Sequence, residues 1–360
     1  MLENDFFDGY KRPHKVDEAL IRKADQLIAD FTHHVPGSDT AIREAFTSSE
    51  FTAASTVALQ RSFLQQLGSA PSPIRQYATI EEVPDFRDIE IVDYDHMSGD
   101  LPKVPELTEY PLMKAPDGSQ ITLRVGKYGA RFAASFEAWR DRRAQGILRR
   151  MPGNLAAMAT RTESSIGVAP LVNAAGINGT TFTGANAAST MPLTFDNAIT
   201  ARNTVQGRVT GDGEFVDNTG WILLIPPTLD ATADAILAVS EYEETVGQKK
   251  FRRTSTLGNV TKVTDPALLR INKGANAAKT WFLVPKPNTG RPGLYLALLE
   301  GETVPELRVK TDGGQYVGGG AVAPEQGSFM IDDIQWRARH IVGSGSGNKL
   351  ALFASDGSGS

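Results

Sequence analysis

The sequence predicts an α+β chain of several parts, and three patterns predict it. Apolar residues at helical spacing run through the first 75 residues. Period-two alternation marks 86–97, 121–125 and 329–341, and from 176 to 320 helical stripes alternate with short apolar runs of strand type.

The elements follow in order. Leu20, Ile21, Ala24, Leu27, Ile28 and Phe31 share a helix face, with Asp17 as N-cap and Pro36-Gly37 as the stop. Ser38 or Asp39 caps a short second helix carrying Ala41, Ile42, Ala45 and Phe46, and a third runs from Phe51 to Leu67. Ser69–Ile74, with Pro71 and Pro73, reads as a linker. Phe86–Met97 places Ile89 and Ile91 on one face, then Val92 and Tyr94, and that slip of phase predicts a bulge. Ile121, Leu123 and Val125 alternate again. The stretch between, 98–120, contains Pro102, Pro105, Pro111 and Pro116. A connection so long is uncommon inside a compact domain. The pair reads as an extended hairpin arm, which two strands alone cannot stabilise.

Ser135–Leu148 reads as a helix capped by Ser135, broken at Met151-Pro152-Gly153. Pro152 suits the first turn of a second, longer helix. Its stripe is Leu155, Met158, Ala159, Thr162, Ile166 and Ala169, continuing to Ala175 with Pro170 kinking or shortening it. Thr194 caps a helix through Val205. Trp221–Ile225 is wholly apolar, so it reads as a buried strand. Pro226-Pro227 leads into a helix with Leu229, Ala233, Ile236 and Leu237 on one face. Leu268–Ile271, Thr280–Val284 and Leu294–Leu299 read as strands. The tail alternates from Phe329 to Ile341, turns through Gly343–Asn348 and returns through Leu350–Phe353 as a hairpin. Asp356-Gly-Ser-Gly-Ser reads as a flexible end.

Composition narrows the chemistry. The chain has 360 residues, 37 Lys and Arg against 42 Asp and Glu, and a formal charge of −5, which is not the balance of a bulk nucleic-acid binder. It has no cysteine, which excludes disulfides, thiolate metal sites and cysteine nucleophiles. No targeting segment or membrane span stands out, so a cytoplasmic chain is the default. No phosphate-binding, zinc-protease, serine-hydrolase or EF-hand motif is present. His33-His34 reads as a helix C-terminal pair favoured by the macrodipole. His96, near Asp93, Asp95 and Asp100, reads as part of a solvated acidic strand rather than a cation site. His340 reads as a packed or surface residue of the tail strand, and Lys249–Arg253 as a solvated loop or strand edge rather than a nucleic-acid contact. No catalytic residue, cofactor or metal site is expected.

Charge segregation says more. Glu81–Glu109 holds ten acids and two bases, and Arg124–Arg161 holds nine bases and two acids. The two blocks either neutralise each other within one subunit or let the acidic arm lie across a neighbour's basic helices. The arm's length and prolines favour the second. The acidic residues Asp88, Glu90, Asp93 and Asp95 are then expected to face Arg140, Arg142, Arg143 or Arg149 of another copy.

The order of parts and the local residues resemble the major capsid protein of tailed bacteriophages, with the Hong Kong 97-type fold. The residues that carry the likeness are Ser135-Phe-Glu-Ala-Trp139, Arg161-Thr-Glu-Ser-Ser-Ile166 and Trp221-Ile-Leu-Leu-Ile-Pro-Pro-Thr-Leu229. Trp281-Phe-Leu-Val-Pro285 ahead of Leu299-Glu-Gly301, then Asp332-Asp-Ile-Gln-Trp-Arg-Ala-Arg-His340 and Ser355-Asp-Gly357, complete the series. The resemblance implies an N-arm at 1–75 and an E-loop with flanking strands at 84–132. It implies a P-domain with a long spine helix at 133–178 and 320–360, and an α/β A-domain at 179–319. It implies a structural role rather than an enzymatic one: hexamers and pentamers of this chain, in hundreds of copies, forming an icosahedral head in the virion. The head would be assembled in the host bacterial cytoplasm around packaged double-stranded DNA, which it would touch non-specifically. A portal is an implied partner, a decoration protein is a further candidate, and no membrane is involved. The chain opens on Met1 with its first arm helix near Asp17, so no cleaved N-terminal segment is expected and a separate scaffolding protein is. Lys103 and Lys114 lie in the arm with no marked acceptor Asn, so no isopeptide cross-link is expected. Two alternatives are an encapsulin-like compartment of the same fold and, in another class, a cofactor-free hydrolase. The second requires a pocket with converging, pKa-shifted groups.

Overall fold

A computed structural model describes residues 67–68, 71–93, 103–106, 108–110, 119–135, 143–209, 215–216, 220–246, 249–287, 291–310, 317 and 328–359. The first two N-terminal helices, most of the third, and His33, His34 and His96 lie outside the described residues.

Strands β1 (Thr79–Val83), β2 (Ile89–Asp93), β3 (Ser119–Leu123) and β4 (Gly126–Ser135) lead to helix α1 (Arg143–Gly167). Short strands β5 (Val172–Asn173) and β6 (Gly176–Ile177) precede α2 (Phe195–Gln206), β7 (Trp221–Ile225) and α3 (Asp230–Leu237). Then come β8 (Glu241–Val246), β9 (Lys249–Thr254), β10 (Val260–Thr264) and α4 (Ala267–Ile271). Strands β11 (Trp281–Pro285), β12 (Leu294–Leu299), β13 (Glu306–Val309), β14 (Asp333–Ser346) and β15 (Phe353–Ser355) complete the series. Two compact units divide these residues. One takes 67–68, 71, 126–162 and 299–341; the other takes 72–125, 163–298 and 342–359.

The larger unit is built on a four-stranded sheet in the order β10-β7-β11-β15. β7 runs parallel to β10 and antiparallel to β11, and β11 pairs antiparallel with β15. Successive side chains of a strand point to opposite faces. Trp221, Leu223, Ile225, Trp281, Leu283 and Phe353 therefore meet one cluster, with Ala198, Ala201 and Val205 of α2 and Ala233 and Ile236 of α3. Ile222, Leu224, Phe282, Val284 and Ala354 meet the other, with Ile74, Tyr77, Val168 and Leu171. Both faces are covered, which is why Trp221–Ile225 carries no polar residue. Thr194 caps α2 by accepting from the Asn197 N–H at 3.3 Å. Lys262 of β10 pairs with Asp230 and Asp234 of α3 at 3.0 and 2.6 Å, and the Thr264 hydroxyl donates to Asp230. Strand β12 lies between β1 and the 342–346 half of β14. In the smaller unit, β13 and β4 both pair with β14, and Phe132 stacks at a tilt on Trp336 at 5.8 Å.

Several expectations hold: the capped helix after Thr194, the strands at 221–225, 281–285 and 294–299, and the helix after Pro226-Pro227. Others are corrected. Ser135 caps no helix; it ends β4, a strand whose partner β14 is remote in sequence. Helix α1 runs through Met151-Pro152-Gly153 unbroken, because Pro152 forfeits one hydrogen bond of a 25-residue helix whose Leu155, Ala156, Glu163 and Ser164 are buried. It stops at Gly167, ahead of Pro170, and β5 takes up residues read as helix. Gly167 packs so closely on Ile74 that a Cβ would collide with that side chain.

Residues 89–93 carry no bulge: β2 and β3 pair one to one from Ile89 against Leu123 to Asp93 against Ser119. Leu268–Ile271 is part of helix α4. The Asp265 carboxylate accepts the Ala267 N–H at 2.8 Å and so starts the helix, which periodicity over so short an apolar run cannot reveal. The linker ends in a 3₁₀ turn, Pro73–Gln76, whose Ile74 is fully buried. The tail is not a hairpin. β14 passes straight through Gly343 and Gly345, and β15 joins a different sheet, beside β11. Those glycines answer a close approach: a Cβ at Gly343 would strike the Arg124 carbonyl, and one at Gly345 the Leu123 side chain. The terminal residues are tied down, with Asp356 N–H donating to Ser189 O at 3.0 Å and Gly359 N–H to Thr190 O at 2.6 Å.

Candidate inter-subunit surfaces

The β2–β3 ribbon has two chemically different faces. Ile89 opposite Leu123 and Ile91 opposite Ile121 form the apolar side, with Ile121 and Leu123 buried. Glu90 opposite Thr122 lies on the other, exposed side. Asp88 sits just before β2 and meets Arg124, just past β3, at 3.7 Å, with side chains 59 and 72% exposed. One member of the acidic block thus meets one member of the basic block inside a single chain. Such an exposed pair contributes about 0–1 kcal/mol.

Glu90 is exposed on its strand, and Asp93 is placed by register opposite Ser119, its side chain lying outside the described residues. Asp95, Arg140 and Arg142 lie outside them altogether. Arg143 and Arg149 lie on the backbone of α1, with side chains likewise outside.

The smaller unit has a shallow, mostly apolar cavity of about 200 Å³, lined by Tyr128, Leu155, Met158, Pro305, Arg339 and His340 among others. His340 is buried, as a packed strand residue should be. Arg339 is held by Glu302 at 2.7 Å and Glu306 at 2.9 Å. The shifted groups lie elsewhere. Burial pushes the Asp265 carboxyl up, against the pull of the Ala267 N–H, the Tyr77 hydroxyl at 2.8 Å and the Arg270 charge. Burial, with the Asp265 charge, raises the Tyr77 phenol well above its ordinary value. Burial lowers the Arg208 guanidinium, whose Nη1 donates to Asn186 Oδ1 and to the Leu350 and Leu352 carbonyls. The Thr264 hydroxyl and then Lys262 hold Asp230 below the usual carboxylate range. None of these residues lines the cavity. Among the described residues there is no group of three or more His, Asp or Glu that could hold a metal ion, and no helix long and apolar enough to cross a membrane.

The basic pentad Lys249–Arg253 forms most of β9, which pairs with β8 in a two-stranded ribbon, Glu243 standing opposite Arg252. Sequence reading missed this ribbon, although three glutamates followed by four bases across a short connection was a legible signal for a charge-paired hairpin.

The family model described as phage capsid protein matches residues 119–354, from the first residue of β3 to within β15. The chain belongs to the phage capsid protein family. Membership rests on that match, which spans well over half the chain. It makes the chain a capsid shell protein, a component of the virion. Among solved structures, the capsid of a native GTA particle is 14% identical over 79% of this chain and 90% of that one, with a TM-score of 0.45. Mycobacterium phage Adephagia gives 11% identity over 79% and 90%, with a TM-score of 0.46. A virus-like particle from Pyrococcus furiosus gives 10% identity over 82% and 97%, with a TM-score of 0.43. No curated protein matches the capsid chain.

Proposed function

We propose that this chain is the major shell subunit of a tailed-phage head, assembling into the hexamers and pentamers of an icosahedral capsid around double-stranded DNA. The observation that carries this reading is the capsid-family match over 119–354. The subunit's role is structural rather than enzymatic. Its partners are copies of itself, a separate scaffolding protein and a portal, with a decoration protein as a further candidate. The division into N-arm, E-loop, P-domain and A-domain at 1–75, 84–132, 133–178 with 320–360, and 179–319 belongs to the same proposal.

Electron microscopy of the chain expressed alone and with its scaffolding protein tests it. Closed particles with five-fold and six-fold clusters are expected; a monodisperse monomer under every condition sinks the reading. Within that shell, Glu90, Asp93 and Asp95 face Arg140, Arg142, Arg143 or Arg149 of a neighbouring copy. Asp88 contributes less across the interface because Arg124 of its own chain already engages it. Reversing the charges on one side should block assembly, and reversing both should partly restore it. Normal assembly after a single-sided reversal removes this contact.

A further inference from the structure

The β8–β9 ribbon combines three features. Among the described residues, neither β8 nor β9 pairs with any third strand. An open edge presents unpaired N–H and C=O groups and is a template for association. A two-stranded ribbon is also marginal by itself in water. Finally, its charges are sorted by strand. β8, EYEETV, carries three acids and no base, and β9, KKFRRT, carries four bases and no acid.

The register sets one acid directly opposite a base. Glu243 stands opposite Arg252, but Glu241 stands opposite Thr254 and Arg253 opposite Tyr242. Glu241, Glu243, Arg252 and Arg253 are all exposed. Interleaving acids and bases along each strand would also have given the ribbon cross-strand ion pairs. Sorting them adds a second property: one edge of the ribbon is acidic and the other basic. Two copies side by side then offer unlike edges to each other. Such a contact joins two different surfaces, so it is heterologous and closes into a ring where the rotation between copies permits.

We propose that the β8–β9 ribbon is a head-to-tail contact between copies of this chain, the acidic β8 edge of one lying beside the basic β9 edge of the next. This rests on the shell-forming reading and names the part of the surface that orients neighbours within a ring. The charges act on register and partner choice, and salt weakens the contact because the groups are exposed.

The test uses the full chain and two variants, Glu241→Lys with Glu243→Lys and Glu244→Lys, and Lys249→Glu with Lys250→Glu, Arg252→Glu and Arg253→Glu. In the first variant the β8 edge becomes basic beside a basic β9; in the second both edges are acidic. Each variant alone should assemble at least about tenfold less than the wild type, since like charges then meet in every contact. An equal mixture of the two should regain assembly, with both variants in equal amounts in the product, because every contact between unlike variants again joins acid to base. Rings with an odd number of members cannot alternate, so the mixture should favour hexamer-based sheets or tubes over closed shells. Thermal unfolding monitored by circular dichroism checks that each variant is folded. A variant that assembles like the wild type overturns the proposal. So does a mixture as inactive as its parts, because charges acting only within the ribbon stay mismatched in it. Failure of the wild type to assemble under the same conditions instead removes the shell reading on which this contact rests.

Discussion

Gly343 and Gly345 show what a single hydrogen in place of a side chain does in this molecule. β14 passes them with φ outside the left-handed region, so neither is there for a turn. They let the strand lie against the backbone at Arg124 and the side chain of Leu123. Gly343→Ala should therefore cost about 1–3 kcal/mol in urea unfolding, the penalty of overpacking. Gly258, whose added Cβ meets nothing, is the control. There alanine should range from neutral to about 1 kcal/mol stabilising, through the unfolded chain. The Tyr77–Asp265 pair makes a pH-dependent prediction. Asp265 is raised by burial, so in the folded state it holds its proton at pH values where the unfolded chain has lost it. Its contribution to stability therefore falls as pH rises from the ordinary carboxylate range through the folded value. Tyr77→Phe removes a hydrogen bond that favours the ionised form. Its cost, about 1–3 kcal/mol at neutral pH, should shrink in acid, where Asp265 is protonated in both states. Urea titrations at the two pH values measure the difference.

Elements were legible where a local pattern had one solution. Trp221–Ile225 could only be buried on both sides, and Thr194 followed by an amphipathic run could only begin a helix. The misread elements depend on partners far away in the chain. Ser135 belongs to a strand because β14, some two hundred residues later by its own numbering, pairs with β4. Leu268–Ile271 is helical because Asp265 caps it, and the tail glycines serve packing against residues 123 and 124. The site was less legible than the fold. Alternation located β2 and β3, but the Asp88–Arg124 pair needed the register of paired strands. Helix α1 carries the element-scale prediction. Pro152 has no N–H for the carbonyl one turn earlier, so Pro152→Ala should raise stability by about 1–3 kcal/mol, measured by urea unfolding. No change in stability would mean that the surrounding turn already accommodates the proline.

At the scale of the whole molecule, surface character separates what folds the chain from what joins it to others. Phe329, Met330 and Ile331 are 81, 81 and 69% exposed, three large apolar residues in a row. The turn that presents them is fixed. The Asp332 N–H donates to Ser328 O at 3.0 Å, the Ser328 hydroxyl donates to Asp333, and Asp332 has φ of 50°. Replacing all three with serine should leave the unfolding midpoint of the isolated chain nearly unchanged, since substitutions at such exposed positions usually cost within about 0.5 kcal/mol each. The same variant should be less prone to non-specific association, read by light scattering at rising concentration. A large loss of stability would mean that these side chains are covered within the chain.

The edge strand β15 has a consequence for the order of events in the cell. It completes the sheet at whose centre β7 and β11 lie, yet a ribosome delivers it long after both. Until residues 353–355 emerge, β11 offers a bare edge, and the 189–190 backbone waits for its partners in 356–359. Completion of the larger unit therefore waits until β15 has been synthesised. A nascent chain cannot present a finished subunit to its neighbours early, and a chain cut short before β15 enters the assembly pool with an unsealed sheet, prone to the wrong partners.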